Sequence, residues 1–396
     1  MNSNDAIEPR PESALSQESN AWPISPSEKS TSAPWIGLDI GGANLKAAHS
    51  HGWSKSLPFP MWKQPQTLAA GIAQLLEEAP PFVGVGVTMT GELADCFATR
   101  SEGVLRILEQ TTLLLPASMV RIYGVDGQWR TPSAAARVPW TVAASNWHAL
   151  AQVVARTYTD GISLVVDIGS TTTDIIPIVD GKIAIEASTD SQRMQCGALV
   201  YTGIERSNVA GIVQRVPLYG SLCPVMNESF ATARDIHVWL GDMPESNTDC
   251  DTPDGRPANR LGARHRIARV VGEDGSTLAD EDIDAIAVCI RKEQASLIAR
   301  AMQQVIHFAN AEKRKPNKAK TVSKQKTSDL SSSVSSPDRI IVCGHGGFLL
   351  EDALQLASWD IPKIAWAEML GEGLSRCAPA YAIAVLAQEQ LKHLTE

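Results

Sequence analysis

The sequence has no run of about 18 uninterrupted apolar residues, the length an α-helix needs to cross a bilayer, so a membrane-spanning protein is not expected. Its first 33 residues, rich in Ser, Pro, Glu and Asn, lack the apolar stretch of a secretion signal, and export is not expected either. Cysteines are few and scattered. The seven, at positions 96, 196, 223, 250, 289, 343 and 377, include no C-x-x-C pair, which argues against a disulfide framework and the usual zinc signatures. Reduced thiols in a cytoplasm fit this pattern. Basic residues are outnumbered, 35 Lys and Arg against 44 Asp and Glu, for a net charge of −9. That balance argues against nucleic acid or an anionic membrane surface as the main partner. A small phosphorylated molecule is expected instead, with homo-oligomerisation left open.

What is present is enough for two cores: 396 residues, 44% of them hydrophobic. Residues 1–33 read as a disordered tail, too polar to offset their ordering entropy. A run of lysines and then serines between about Glu312 and Asp338 reads as a solvated loop insertion; without interleaved aromatics it is a poor nucleic-acid patch. Gly127 to Pro139 and Gly241 to Arg260 are Pro/Gly/Asp-rich loops. Between these breaks, β-rich runs (Trp35 to Ile40, Val83 to Thr88, Val120 to Val125, Leu164 to Ile168, Asp174 to Val179, Lys182 to Ala187, Arg339 to Cys343, Lys363 to Trp366) alternate with helical patterns. The predicted helices are Gln66 to Ala79, Gly103 to Leu115, Ala144 to Thr157, Asp282 to Phe308, Leu349 to Ser358 and Ser375 to Lys392. The class is α/β. The expected division is a first lobe over 34–160 and a second over 161–396, the second carrying an insert at about 190–280.

An internal repeat is the most informative feature. WIGLDIGGANLKAA, from Trp35, is echoed by LVVDIGSTTTDIIPI, from Leu164. Each is an apolar strand ending in Asp-Ile-Gly, a turn of small residues and a second apolar strand. The strand delivers a carboxylate (Asp39, Asp167) to its end, the glycines (Gly41, Gly42, Gly169) permit close backbone approach, and turn N–H groups and hydroxyls suit phosphate oxygens. Aspartate at such a place commonly positions Mg²⁺, a hard cation that keeps part of its water shell. One such turn would be ordinary loop chemistry; two in the same frame point to a clamp on a polyphosphate. Asp180-Gly181 reads as a structural hairpin turn. A third segment, RIIVCGHGGFLL from Arg339, places Gly344, Gly346 and Gly347 between a buried strand and a helix, where an anion or nucleotide can approach. His345 in that turn is either a hydrogen-bonding spacer or a catalyst.

These three segments, in this order, resemble the two phosphate loops and the adenosine-side glycine loop of the actin-like ATPase superfamily, which implies a two-lobed actin-like/Hsp70-like/sugar-kinase fold of ribonuclease H-like halves around a cleft. More closely, VGVGVTMTGELADCF from Val83, AASNWHA from Ala143, GSTTTDIIPIVDG from Gly169 and GALVYTGIERSNV from Gly197 look like a hydantoinase/oxoprolinase-related family of the tetrahydromethanopterin-linked one-carbon pathway, to which archaeal synthases of the methanofuran core belong. The likeness runs from about Trp35 to Leu386. It departs from the family pattern at Gly91, where alanine is usual, at Leu45, and at Ser207-Asn208, which stands for Thr-Pro.

The resemblance implies that a tyramine-type phenol displaces diphosphate from an aminomethyl-furan-methyl diphosphate without ATP hydrolysis. Asp39 and Asp167 would then hold Mg²⁺. Ser170, Thr171 and Thr172 would bond the phosphates, and Lys46 would add positive charge. A phenol of pKa about 10 needs a base or strong polarisation, and Asp174, Glu92 and Asp95 are the candidates, the last two equally readable as helix-dipole partners. Asn44 and Asn146 either line the site or satisfy turn backbone. Arg206 suits a substrate carboxylate, while Glu228, Thr232, Asp235, Asp251 and Asp254 fall in family-like stretches without an assignable role. Two rival readings stand beside this one: an ATP-dependent enzyme, either a sugar-kinase-like phosphotransferase or an oxoprolinase-type amidohydrolase, and a non-catalytic nucleotide switch.

Overall fold

A computed structural model describes residues 33–313 and 336–391. The predictions for the polar tail and for most of the lysine- and serine-rich insertion lie outside these residues. Two six-stranded sheets carry the fold. The first is built from β1 (Trp35–Ile40), β2 (Asn44–His49), β3 (Ser54–Pro58), β4 (Gly84–Met89), β5 (Val120–Tyr123) and β6 (Trp129–Arg130), in the order β3-β2-β1-β4-β5-β6. The second contains β7 (Ile162–Ile168), β8 (Thr173–Val179), β9 (Lys182–Ile183) and β10 (Leu199–Val200). After the separate β11–β12 hairpin (Arg215–Leu218, Ser221–Pro224) come its last strands, β13 (Arg339–Gly344) and β14 (Lys363–Ala365).

The repeat seen in the sequence is a repeat of topology. In each sheet an antiparallel hairpin, β1–β2 or β7–β8, is extended by parallel strands, β4 and β5 or β13 and β14. The central strands are apolar on both faces because helices cover both: all six residues of β1 and of β4 are buried. Asp180 and Gly181, with φ of 48° and 72°, make the expected tight turn between β8 and β9. The predicted strand is shorter than expected: β9 ends at Ile183, and Ala184 N still donates to Pro177 O of β8 at 2.9 Å.

Two helices cross the division drawn from sequence. The C-terminal helix, Ala378–Gln390, lies against β1, β2 and β4 of the first sheet, although its position in the chain places it with the second lobe. The helix Asn146–Thr157 packs on one side against Ala378–Gln390 and on the other against β8 and β9. Each half thus lends a helix to the junction. Strand period and helix period cannot reveal such an exchange, because both helices simply read as amphipathic or apolar. The predicted helix over Ser375 to Lys392 is also interrupted at Cys377: Pro379, with no N–H to donate, sits in the first turn of a new helix. A third core, over residues 209–290, is formed by the β11–β12 hairpin, helices Ala233–Leu240 and Arg260–Arg269, and the first part of the long helix Asp280–Lys313. Among the described residues no helix is long and apolar enough to cross a membrane.

The docking of Ala378–Gln390 depends on Gly37. A Cβ there would lie 1.9 Å from the Ala380 carbonyl oxygen and 2.7 Å from the Ala384 nitrogen, both backbone atoms that cannot swing away. Gly37→Ala is expected to cost about 3 kcal/mol through overpacking, measured as a lowered urea midpoint; an unchanged midpoint would show that the helix is not seated on β1 in solution.

Candidate active site

Both Asp-Ile-Gly turns are closed by the same bond. Gly41 N donates to Asn44 O at 3.0 Å, and Gly169 N donates to Thr172 O at 3.0 Å. Strand register then fixes what faces what: Asp39 pairs with Lys46 across β1–β2, and Asp167 pairs with Asp174 across β7–β8. The two turns meet directly where Asn44 Nδ2 donates to Ser170 Oγ at 3.3 Å. A cavity of about 100 Å³ lies between them, lined by Asp39, Asp167, Lys46 and both turns.

Electrostatically this is a costly place. Asp39 is 5% exposed and its Oδ1 has no hydrogen-bond partner in the protein. Burial pushes its carboxyl up to about 6, Lys46 pulling back and Asp174 adding to the rise. Asp167 opens onto the small cavity but is likewise enclosed; burial raises it to about 7, again against Lys46 and with Asp174 and Asp39 contributing. Carboxylates left this exposed to one another are the donor set that a cation completes.

A second cavity, of about 300 Å³, adjoins the first and shares a wall with it: Gly42, Thr90, Asn146, Thr171, Thr172 and Asp174 line both. Its remaining wall includes Trp62, Glu92, Asp95, Arg193, Tyr201 and Arg206. Ala144, at φ 47°, holds a left-handed conformation at its edge. Next to it the buried Ser145 hydroxyl is 2.8 Å from Thr88 Oγ1 and donates to Tyr123 O at 3.0 Å. The start of the Asn146 helix is therefore pinned.

Most of the residues singled out from sequence converge here, but three predictions change. Asp174, expected as a free base, is tied up by the buried Arg193, which also donates to Asp190 at 3.0 Å and stacks 4.8 Å from the Trp147 ring. Burial raises the Asp174 carboxyl and Arg193 lowers it. Glu92 does not complement the dipole of a helix: it sits in a single three-residue turn, 1% exposed. The glycines of the third motif lie behind the site. His345 N and Gly346 N both donate to Ile168 O at 3.2 Å, and neither cavity is lined by Gly344, Gly346 or Gly347. Gly344, at φ +79°, makes that bend against the Asp167 strand. His345 Nε2 pairs with Glu205 Oε1 at 2.9 Å, the spacer role of the two expected for it.

Arg206 lies 4.0 Å from the Trp62 ring and 4.0 Å from Asp251. Thr232 and Asp235 form a capping box, and Asp235 and Asp254 both accept from the buried Arg266, so these residues hold the insert together. Sequence reasoning passed over Arg193, Arg100, Trp62 and Tyr201. Tyr201 stands inside a motif already noted, and Asp190 lies within, and Arg193 directly after, the capping signal Thr189-x-x-Gln192, but nothing local shows that the helix Asp190–Cys196 turns its arginine into the cleft.

Raised carboxyl pKa values have a stability consequence of definite sign. The folded state holds these protons more tightly than the unfolded one, so the contribution favouring the fold is complete below about pH 4 and is lost as pH rises through about 6 to 7. Asp167→Asn is expected to raise the melting temperature of the free protein at pH 8, with the gain fading toward pH 4; a mutant less stable than wild type at pH 8 would contradict this electrostatic assignment.

The chain is similar to known proteins. A family model described as hydantoinase/oxoprolinase matches residues 84–389. A protein of Methanocaldococcus jannaschii named (4-{4-[2-(gamma-L-glutamylamino)ethyl]phenoxymethyl}furan-2-yl)methanamine synthase is 32% identical over 360 residues, covering 90% of this chain and 98% of that one. A protein of the same name from Methanococcus vannielii is 30% identical over 231 residues, 58% of this chain and 91% of its own. Among solved structures, nucleotide-free acetone carboxylase superposes with a TM-score of 0.50 at 10% identity, over 89% of this chain and 70% of that one, a likeness of fold. The two-lobed actin-like fold and the narrower likeness read from the motifs lead to one conclusion: the chain belongs to the hydantoinase/oxoprolinase family.

Proposed function

We propose that this protein is a biosynthetic synthase for a methanofuran-type coenzyme, joining a tyramine-type phenol to an aminomethyl-furan-methyl diphosphate with release of diphosphate. The name carried by its relatives describes an aryl ether between a phenol bearing a γ-glutamylaminoethyl arm and a furan bearing a methanamine. The observation that carries the reading to this chain is the pair of cavities with a common wall, a small polar one between two phosphate-type turns and a larger one edged by Trp62 and Tyr201.

In this reading the diphosphate lies between the turns, where backbone N–H groups, the hydroxyls of Ser170, Thr171 and Thr172, Asn44 and Lys46 surround it. The phenol oxygen bonds to the furan-methyl carbon as that carbon's bond to the diphosphate oxygen breaks, the electron pair leaving with diphosphate. The phenol's proton passes to a wall carboxylate, in this reading Asp95, which is exposed at the larger cavity. Because the furan stabilises positive charge at that carbon, the protein's main work is to hold the leaving group and aim the phenol.

Asp39 and Asp167 suit Mg²⁺ on the chemistry of the donor set. Among the described residues no group of three or more His, Cys, Asp or Glu side chains is arranged to hold a metal alone, and two carboxylates completed by substrate phosphates is how Mg²⁺ is usually bound. Asp39 and Asp167 would hold the ion, which would supply positive charge against the departing diphosphate. A cytoplasm suits the seven free thiols.

The test is a mass-spectrometric assay of the purified protein with Mg²⁺, the phenol and the furan-methyl diphosphate, with and without ATP. Ether and diphosphate in equal amounts without ATP are expected, and Asp39→Asn or Asp167→Asn should slow the reaction at least about 100-fold while the protein remains folded. ADP release with no ether would replace this reading by the ATP-dependent one.

A further inference from the structure

Glu92 presents a charge that the protein meets on one oxygen only. Its side chain is 1% exposed, lines the larger cavity, and has no hydrogen-bond partner for Oε2; Oε1 lies 3.5 Å from Arg100 Nε. Arg100 is itself engaged by Asp190. The other wall carboxylates are accounted for, Asp174 and Asp190 by Arg193 and Asp95 by its exposure to water. Burial pushes the Glu92 carboxyl up to about 7, Arg100 opposing the rise. Packing alone does not call for an acid here, since glutamine fills the same volume without the cost of burying charge.

The backbone around Glu92 is fixed closely. A Cβ on Gly91 would lie 2.8 Å from Gly41 O, and one on Gly103 would lie 2.2 Å from Glu92 O. The turn Gly91–Leu93 is thus wedged between the first phosphate-type loop and the helix Arg100–Leu114. Gly91, having no Cβ, lets the turn sit directly on that loop. A carboxylate oxygen without a partner is held beside the diphosphate cavity, on the wall where the organic part of the substrate belongs.

We propose that Glu92 is a specificity-determining residue that receives, through Oε2, the primary ammonium group of the aminomethyl-furan substrate and so aims the ring's other arm at the two Asp-Ile-Gly turns. This rests on the function proposed above. The relatives' product carries a methanamine, an aliphatic amine that is protonated at neutral pH and has three N–H donors. Such a group satisfies a buried carboxylate that Arg100 reaches only at its edge. A furan with a methyl diphosphate on one side and an aminomethyl group on the other needs one anchor at each end, and the Gly91–Gly41 contact sets the two anchors in adjoining loops.

Two measurements on the full-length protein test this. The first is calorimetric binding of the aminomethyl-furan alcohol, which has no diphosphate, against its methyl twin, which has no amine. Wild type should prefer the amine, and Glu92→Gln should lose that preference by at least about 30-fold with no fall in its melting temperature. Equal binding of both alcohols by wild type overturns the proposal whether or not ether is ever formed, so it is distinguishable from failure of the synthase reading. The second is steady-state kinetics on both diphosphates. Glu92→Gln should raise KM for the amine substrate and leave the methyl analogue unchanged. A fall in kcat on both, with the acid limb of the pH profile moved, would make Glu92 the proton acceptor and overturn the anchor.

Discussion

Asp39 and Asp167 are carboxylates that folding carries out of water with one lysine, Lys46, to offset them both, and the arrangement of the two lobes follows from bringing those three side chains together. The duplication makes the problem sharper. Lys46 stands opposite Asp39 in the first hairpin, and the matching position of the second hairpin, opposite Asp167, is held by another acid, Asp174. A perfect repeat would place two lysines here or two further acids. The mixed case leaves three acids and one base at the centre, and the surplus is met outward by an alternating series: Arg193 on Asp174 and Asp190, then Arg100 on Asp190, then Glu92 beside Arg100. Each buried charge in that series is tolerable because of its neighbour, and the series ends at an unpartnered oxygen on one side and an unpartnered Asp39 oxygen on the other. Both ends face cavities.

How far this was readable from sequence depends on whether a feature is local. The hairpins around Asp39 and Asp167 were legible because strand, turn and strand are contiguous and the motif occurs twice. The turn at Asp180-Gly181 was legible from its dipeptide alone. The insert was not resolved into elements, although its helices carry ordinary start signals: Thr232 and Asp235 form a capping box, and Asn259 caps the next helix by accepting from Gly262 N. Those signals say that a helix begins and nothing about which face it buries. Arg193 is the clearest loss. Its partner Asp174 lies on the preceding hairpin and its stacking partner Trp147 on an earlier helix, so its role exists only in three dimensions. The glycines after β13 misled for the opposite reason: strand, glycine turn and helix is the right local pattern for an anion site, but the amides are consumed by Ile168 O.

That glycine turn has a supporting role instead. Gly344 bends so close to the second Asp-Ile-Gly strand that a Cβ would lie 2.3 Å from Ile168 O and 2.6 Å from Asp167 Oδ1, and Ser375 Oγ donates to Gly344 O at 3.0 Å. The turn therefore acts as a backing plate for Asp167, fixing the carboxylate from behind. What lines the space in front is the hydroxyl-rich turn and, beyond it, the wall shared with the larger cavity.

The insert completes this support from the other side. Gly203 packs where a Cβ would come within 2.5 Å of both Gly169 O and Thr171 N, and Ile204 and Glu205 donate to Gly169 O and Ser170 O, each at 3.0 Å. The segment that presses on the turn is in turn gripped by Gln294 of the long helix, whose Nε2 donates to Gly203 O at 2.8 Å and Thr202 Oγ1 at 2.9 Å. Gln294 Oε1 then meets His237 Nε2 at 3.0 Å, and the other ring nitrogen of His237 lies 3.2 Å from Asp242 Oδ2. His237 is fully buried in the insert helix Ala233–Leu240, whose capping acid Asp235 is bonded by Arg266. A continuous chain of satisfied polar contacts thus runs from the core of the insert to the second phosphate-type turn. Buried polar networks of this kind are stable only when every member is satisfied, so the insert and the turn are held as one unit, and displacing the insert would release the loop that lines both cavities.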